Sequence, residues 1–170
     1  KQKRNNRCAA SGTEISRRDR IEKAAACPDP LIASLREKFG DLISVDPDRI
    51  PLLLLTAPPS LIRNVAEHVY LQLHGRYITC AAIDRGDEAL PPSLRYLFSF
   101  DKERLLLCIG TDLDRSSPAT VDSLTPVIPG ANWSEREMKD MHGIIAGGHP
   151  DLRRLVLADD WPEGTYPLRS

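Results

Sequence analysis

The sequence has no apolar run approaching the roughly 18 residues that a membrane-spanning helix needs. Its longest, Pro51-Leu52-Leu53-Leu54-Leu55, is the length of a strand. Cysteine is sparse: Cys8, Cys27, Cys80 and Cys108 lie 19, 53 and 28 residues apart with no CxxC. That spacing speaks against a zinc or iron–sulfur site built from this chain alone and fits reduced thiols in the cytoplasm. Charge of one sign is also missing. With 23 basic and 24 acidic side chains the net charge is -1, which argues against a dedicated nucleic-acid or membrane-surface binder, since both need an excess of Lys and Arg. No charged–apolar–small leader opens the chain at Lys1, so no secretory signal is read. Neither a P-loop nor a GxGxxG after a strand is present, and nucleotide binding has no support.

What is there is ordinary for a folded domain: 170 residues, 41% hydrophobic and 28% charged. A chain of this size buries roughly 70% of its unfolded surface and holds a core without disulfides. Charge divides it. Residues 1–27 carry eight basic and three acidic side chains, with Ile15 and Ile21 as their large aliphatics. Such a segment buries too little apolar area to offset its ordering entropy. Three parts are therefore expected: a mobile basic arm over 1–28, a folded domain over 29–157, and an extended tail over 158–170.

Within the domain, Asp29 and Pro30 open a helix with the stripe Leu31, Leu35 and Phe39, stopped by Gly40. Ile50 to Thr56 is near-continuously aliphatic, a strand central in its sheet. Pro58-Pro59-Ser60 starts a second helix with Leu61, Val65, Val69 and Leu73 on one face. His68 and His74 lie here without ligand-spaced partners and are read as surface or boundary residues. From Arg76 the period becomes two: Arg76–Asp84, Leu94–Phe100 and Glu103–Thr111 read as a three-stranded meander. The order predicts an α+β two-layer sandwich, a mixed sheet of about four strands with helices on one face, followed by a short C-terminal helix and an extended tail.

The densest chemistry follows. Asn132 and Glu135 have capping-box spacing and Gly143 is a C-terminal stop, which predicts a helix from Trp133 to His142. At 100° per residue, Trp133, Glu137 and Met141 share one face, flanked by Arg136 and Asp140, while Glu135, Lys139 and His142 point the other way. Glu137 and Asp140 thus fall beside the apolar stripe, and buried carboxylates need partners. Arg136, Arg153 and Arg154 are the nearest cations in sequence. A structural ion-pair cluster is favoured over a titrating site, because no nucleophile or metal constellation stands beside it. His142, His149 and Asp151 imply no fixed ligand geometry; His149-Pro150 reads as a turn whose imidazole bonds backbone. The tail, with Trp161 and Tyr166 among prolines and charges, either wraps a partner chain or folds back over its own sheet, the first being favoured.

These residues carry a resemblance. NWSEREMKDMHGI, then GHPDLRRLVLADDW and PLR, with SLTPVIPGA upstream, resemble the signature of the 30-kDa subunit family of respiratory complex I. The related N-terminal domain of energy-converting, formate hydrogenlyase-type nickel–iron hydrogenase large subunits shares it. The resemblance implies a non-catalytic docking subunit of the peripheral arm, with no active site on this chain. It would pack on the large (49-kDa-like or hydrogenase large) subunit beside iron–sulfur subunits. Cofactors are expected on those partners: iron–sulfur clusters, and nickel–iron in the hydrogenase branch. Such a subunit sits on the cytoplasmic side of the membrane, attached through the complex. The positions carried over, with structural and interfacial roles, are Trp133, Glu135, Arg136, Glu137, Asp140, Gly143, His149, Pro150, Asp151, Arg153 and Arg154, with Trp161, Pro167, Leu168 and Arg169 in the tail. Two departures stand out. His142 replaces the family's usual aromatic, and Ser170 falls short of a usual Lys-Asp continuation, as a truncated chain or a domain cut from a fused one would. The wording LADDWPEGTYPLR leans mildly to the hydrogenase branch. The competing reading is a small metal- or acid–base-dependent enzyme using Glu137, Asp140, His142 and His149; a third, a nucleic-acid binder using residues 1–27, is weaker still.

Overall fold

The structure, a computed structural model, describes residues 29–42, 44–46, 52–86, 90–115 and 119–169. The basic segment 1–28, and Ile50 and Pro51 of the expected aliphatic strand, lie outside the described residues. Helix α1 is Asp29–Phe39, β1 is Ser44–Asp46, β2 is Leu52–Thr56 and α2 is Ile62–Leu71. The meander follows as β3 (Arg76–Ile83), β4 (Ser93–Phe100) and β5 (Leu105–Asp112). After it come β6 (Thr120–Asp122), α3 (Asn132–His142) and β7 (Ile145–Gly147).

The main sheet has the order β1-β2-β5-β4-β3. It is mixed: β2 runs parallel to β5, with Leu53 opposite Leu107 and Leu55 opposite Ile109, and the other ladders are antiparallel. The expected four strands are joined by the three-residue β1 at one edge. Residues opposite one another across a ladder share a face. Leu53, Leu55, Tyr96, Phe98, Leu107 and Ile109 therefore form one buried layer, and Leu35 of α1, Val65 and Val69 of α2 and Met138 of α3 close over it. Helices on one face of the sheet are what the sequence predicts. The opposite face carries Leu52, Leu54, Leu97 and Leu106, all part-exposed. Gly110 there has no side chain because the Arg95 guanidinium lies across it; a Cβ would stand 2.7 Å from Nη1.

His68, read as a surface or boundary residue, lies on the buried side of that boundary, 8% exposed. Its ring stands edge-on to Phe39, and Nδ1 accepts from Lys38 Nζ at 3.1 Å. The amphipathic stripe of α2 alone could not foresee α1 covering it. Cys80 and Cys108 are free and buried, facing opposite sides of the sheet through their partners Tyr96 and Leu97. Burial pushes both thiols up, so they stay protonated.

Candidate functional site

The residues of the C-terminal signature converge on α3. The chain enters this helix through a tight turn, Pro129–Ala131, and no side chain caps it. The expected capping box is therefore not formed. Glu135 instead turns inward, fully buried, and binds a loop ten to twelve residues upstream. It accepts from Leu124 N, Ser123 Oγ and Thr125 Oγ1, each at 2.6 Å. Three donors on one carboxylate compensate the cost of taking it out of water. The His149 side chain is fully buried beside it. His149 Nδ1 accepts the Asp151 N–H at 2.9 Å, which assigns the ring proton to Nε2, 3.8 Å from Glu135 Oε2. The backbone-bonded His149 turn is the one the sequence predicts. Glu135 thus gathers the 123–125 and 149–151 loops around one buried charge.

The helix is rotated from its predicted setting. Trp133 is 71% exposed and Glu137 is exposed, while Glu135, Met138 and His142 face inward. Weighting the stripe by Trp133 gave the opposite answer. The donors that make Glu135 buriable come from outside the helix and leave no mark on its periodicity.

The predicted pairing of Glu137 and Asp140 with Arg136, Arg153 and Arg154 is also absent among the described residues. The cations of α3 hold main chain instead. Arg136 Nε donates to Arg153 O and Nη2 to Arg154 O, both at 2.8 Å, and Lys139 Nζ to Leu152 O at 2.6 Å. Asp140 Oδ2 accepts the amides of Leu155, Val156 and Leu157 at 2.8, 2.9 and 3.3 Å. Burial pushes the Asp140 carboxyl up, but these amides, with Lys139, pull it below its usual range. Arg153 pairs in solvent with Asp151 at 2.7 Å, which holds that carboxyl at about 2. Arg154 Nη1 donates to Ala158 O at 2.7 Å. Residues 149–169 form a strap with no regular secondary structure, and the side chains of α3 satisfy the backbone that such a segment leaves open.

The strap's end returns to α3. Gly143 sits at φ +68, and a Cβ there would run into the Tyr166 ring. Leu168 N donates to Met141 O at 2.9 Å and Arg169 Nη2 to Arg115 O at 3.2 Å. The His142 ring lines a groove with Leu168, and burial lowers the imidazole's proton affinity against the pull of Asp84, Glu137 and the Leu168 backbone. Held from beneath, the strap turns apolar side chains outward: Val156 is 53% and Leu168 54% exposed, and Leu155 and Trp161 are also exposed. The tail folds back along α3 rather than over the sheet. Glu137 and His142 line one groove beside Thr79–Ala82, while Asp140 is engaged by the strap amides and His149 lies beside Glu135. Among the described residues no group of three or more His, Cys, Asp or Glu side chains could hold a metal ion. No described helix is long and apolar enough to cross a membrane.

A family model described as respiratory-chain NADH dehydrogenase, 30 Kd subunit, matches residues 55–170. One of the subunits of the NADH-quinone oxidoreductase of Roseiflexus sp. (strain RS-1) is 38% identical over 149 residues, 86% of this chain and 77% of that one. Hydrogenase-4 component G of Escherichia coli (strain K12) is 32% identical over 144 residues, covering 84% of this chain but 26% of that one. The chain thus spans about a quarter of its hydrogenase relative. Its fold is similar to a chain in the structure of a membrane-bound sulfane sulfur reductase, an archaeal respiratory membrane complex. The TM-score is 0.72 at 20% identity, over 83% of this chain and 82% of the other.

Proposed function

Because the chain belongs to the respiratory-chain NADH dehydrogenase 30 kDa subunit family, we propose that it is a docking subunit, or domain, without a catalytic site of its own. It serves the peripheral arm of a membrane-associated oxidoreductase of the complex I or energy-converting hydrogenase type. It packs on the large subunit, beside the iron–sulfur subunits, and meets the cytoplasmic face of the membrane only through them. The iron–sulfur clusters, and nickel–iron in a hydrogenase, reside on those partners.

The observation that carries this reading is the strap. Asp140, Arg136 and Lys139 spend their hydrogen bonds on its main chain, so its side chains stand outward in a fixed arrangement before any partner arrives. Trp133 of α3, beside the strap, is an anchor of the kind that dominates interfaces, and covering the exposed half of Val156 or Leu168 adds about 1 kcal/mol each. The small-enzyme alternative has no such support, since Glu137 and His142 share one groove but Asp140 and His149 lie elsewhere.

Native purification, with mass spectrometry of co-eluting chains and elemental analysis, tests the reading. A large subunit and iron are expected, and nickel selects the hydrogenase type. Val156→Asp should abolish co-elution while leaving the circular dichroism spectrum unchanged. A lone monomer with stoichiometric metal would overturn the assignment.

A further inference from the structure

Among the described residues, strand β3 ends the main sheet and pairs only with β4. Among the described residues no backbone hydrogen bond is made to its outer side. A row of open N–H and C=O groups is a template for another strand, and edges are normally guarded by charge or proline. Here Tyr77 to Ile83 contains neither. The register irregularity lies between Tyr77 and Thr79, leaving Thr79 onward regular.

A groove of about 300 Å³ runs along this edge between Thr79–Ala82 and α3, walled by Met138 and Met141 and closed by Leu168. Glu137 lines it, exposed, and makes no hydrogen bond or salt bridge among the described residues. On the other side of the edge, Ile78 and Ile83 are 42% and 38% exposed.

We propose that this edge receives an extended segment of a partner polypeptide as an added strand, with a Lys or Arg of that segment set against Glu137. The proposal rests on the docking function above and names where the partner's chain enters. An added strand lies about 4.8 Å from β3 and sends alternate side chains to its two faces. One set meets the methionine wall, whose flexible thioethers adapt to varied shapes, and Glu137; the other lies beside Ile78 and Ile83. The partner segment is therefore apolar on both faces with a basic residue on the α3 side. A second copy fits poorly. Its β3 would bring no free cation, because the strand's basic residue, Arg76, is already bidentate on Asp101.

Hydrogen exchange with mass spectrometry on the chain alone and on the natively assembled complex tests this. Amides of residues 79–83 should exchange at least about tenfold more slowly in the complex. Glu137→Arg should reduce assembly, and Glu137→Gln less so, with unchanged circular dichroism. Equal exchange in both states, or normal assembly of Glu137→Arg, would overturn the proposal. So would protection that rises with concentration in the chain alone, which would identify a second copy as the occupant. A complex that assembles with β3 unprotected sinks this inference and leaves the docking function standing; a chain that never co-elutes with a partner sinks both.

Discussion

Glu135 offers the sharpest test of how the C-terminal module is held. Replacing it with Ala removes the acceptor for Leu124 N, Ser123 Oγ and Thr125 Oγ1 together and leaves a void beside His149. The buried Leu124 amide is the costly orphan, at about 1–3 kcal/mol. The two hydroxyls can turn elsewhere and lose less, and the deleted methylenes add a cavity cost. The total is about 3–5 kcal/mol, a large share of the about 5–15 kcal/mol that holds a domain folded. In a chain of this length it corresponds to a fall of about 6–20 °C in Tm. Glu135→Gln keeps one acceptor oxygen and should lose about 1–2 kcal/mol. Urea denaturation followed by circular dichroism and by tryptophan fluorescence measures both. The two tryptophans, Trp133 and Trp161, lie on α3 and the strap, so fluorescence reports this module. An Ala variant within about 1 kcal/mol of the parent, or a Gln variant as damaged as Ala, would refute the reasoning.

Asp140→Asn should speed exchange of the Leu155 to Leu157 amides about tenfold while the sheet stays protected. The Asp140 carboxyl is held below its ordinary value of 3.8. Its contribution is therefore present above that pH and is lost as pH falls through the lower folded value, and acid titration of the same amides checks it. His142 has the opposite chemistry and the same outcome. Its folded ring binds a proton less readily than the ordinary 6.5, so the end of the strap should loosen as pH drops below that value. His142→Phe should abolish this step in limited proteolysis at Tyr166. Gly143→Ala imposes both a strained φ and the clash with Tyr166, at about 1–2 kcal/mol or more. Tyr166→Ala in the same chain should relieve the clash alone and recover part of the loss in urea denaturation.

The layered fold is legible in the sequence because its signals are local. The Leu, Val and Phe stripes of α1 and α2 and the alternation of the meander each need only a few neighbouring residues to be read. The strands β1, β6 and β7 are three residues long, too short for a period, and β6 pairs with β7 across the whole of α3. The setting of α3 is illegible for a different reason. A carboxylate is buriable only where donors wait for it, and those of Glu135 lie in the Ser123-Leu124-Thr125 loop. The motif SLTP upstream of the helix was the available clue, together with the inward run Ala131, Glu135, Met138 and His142 at helical spacing. The arginines misled because carboxylates are their usual partners. Here Arg136 and Arg154 meet carbonyls, which no pattern of charges announces.

The single parallel pairing in the main sheet, β2 beside β5, sets an order of events during synthesis. Strands β3, β4 and β5 are joined by short connections and can pair as each emerges from the ribosome, since nearby contacts close fastest. Strand β2 is made first of the four yet cannot join them until β5 appears, roughly fifty residues later. Through that interval Leu52 to Leu55 has the three-residue β1 beside it and its other edge open, an aliphatic segment of the kind that chaperones shield and that aggregation exploits. Emergence of β5 is the moment at which this exposure ends, with α3 and the strap that a partner will need still to follow it out of the ribosome.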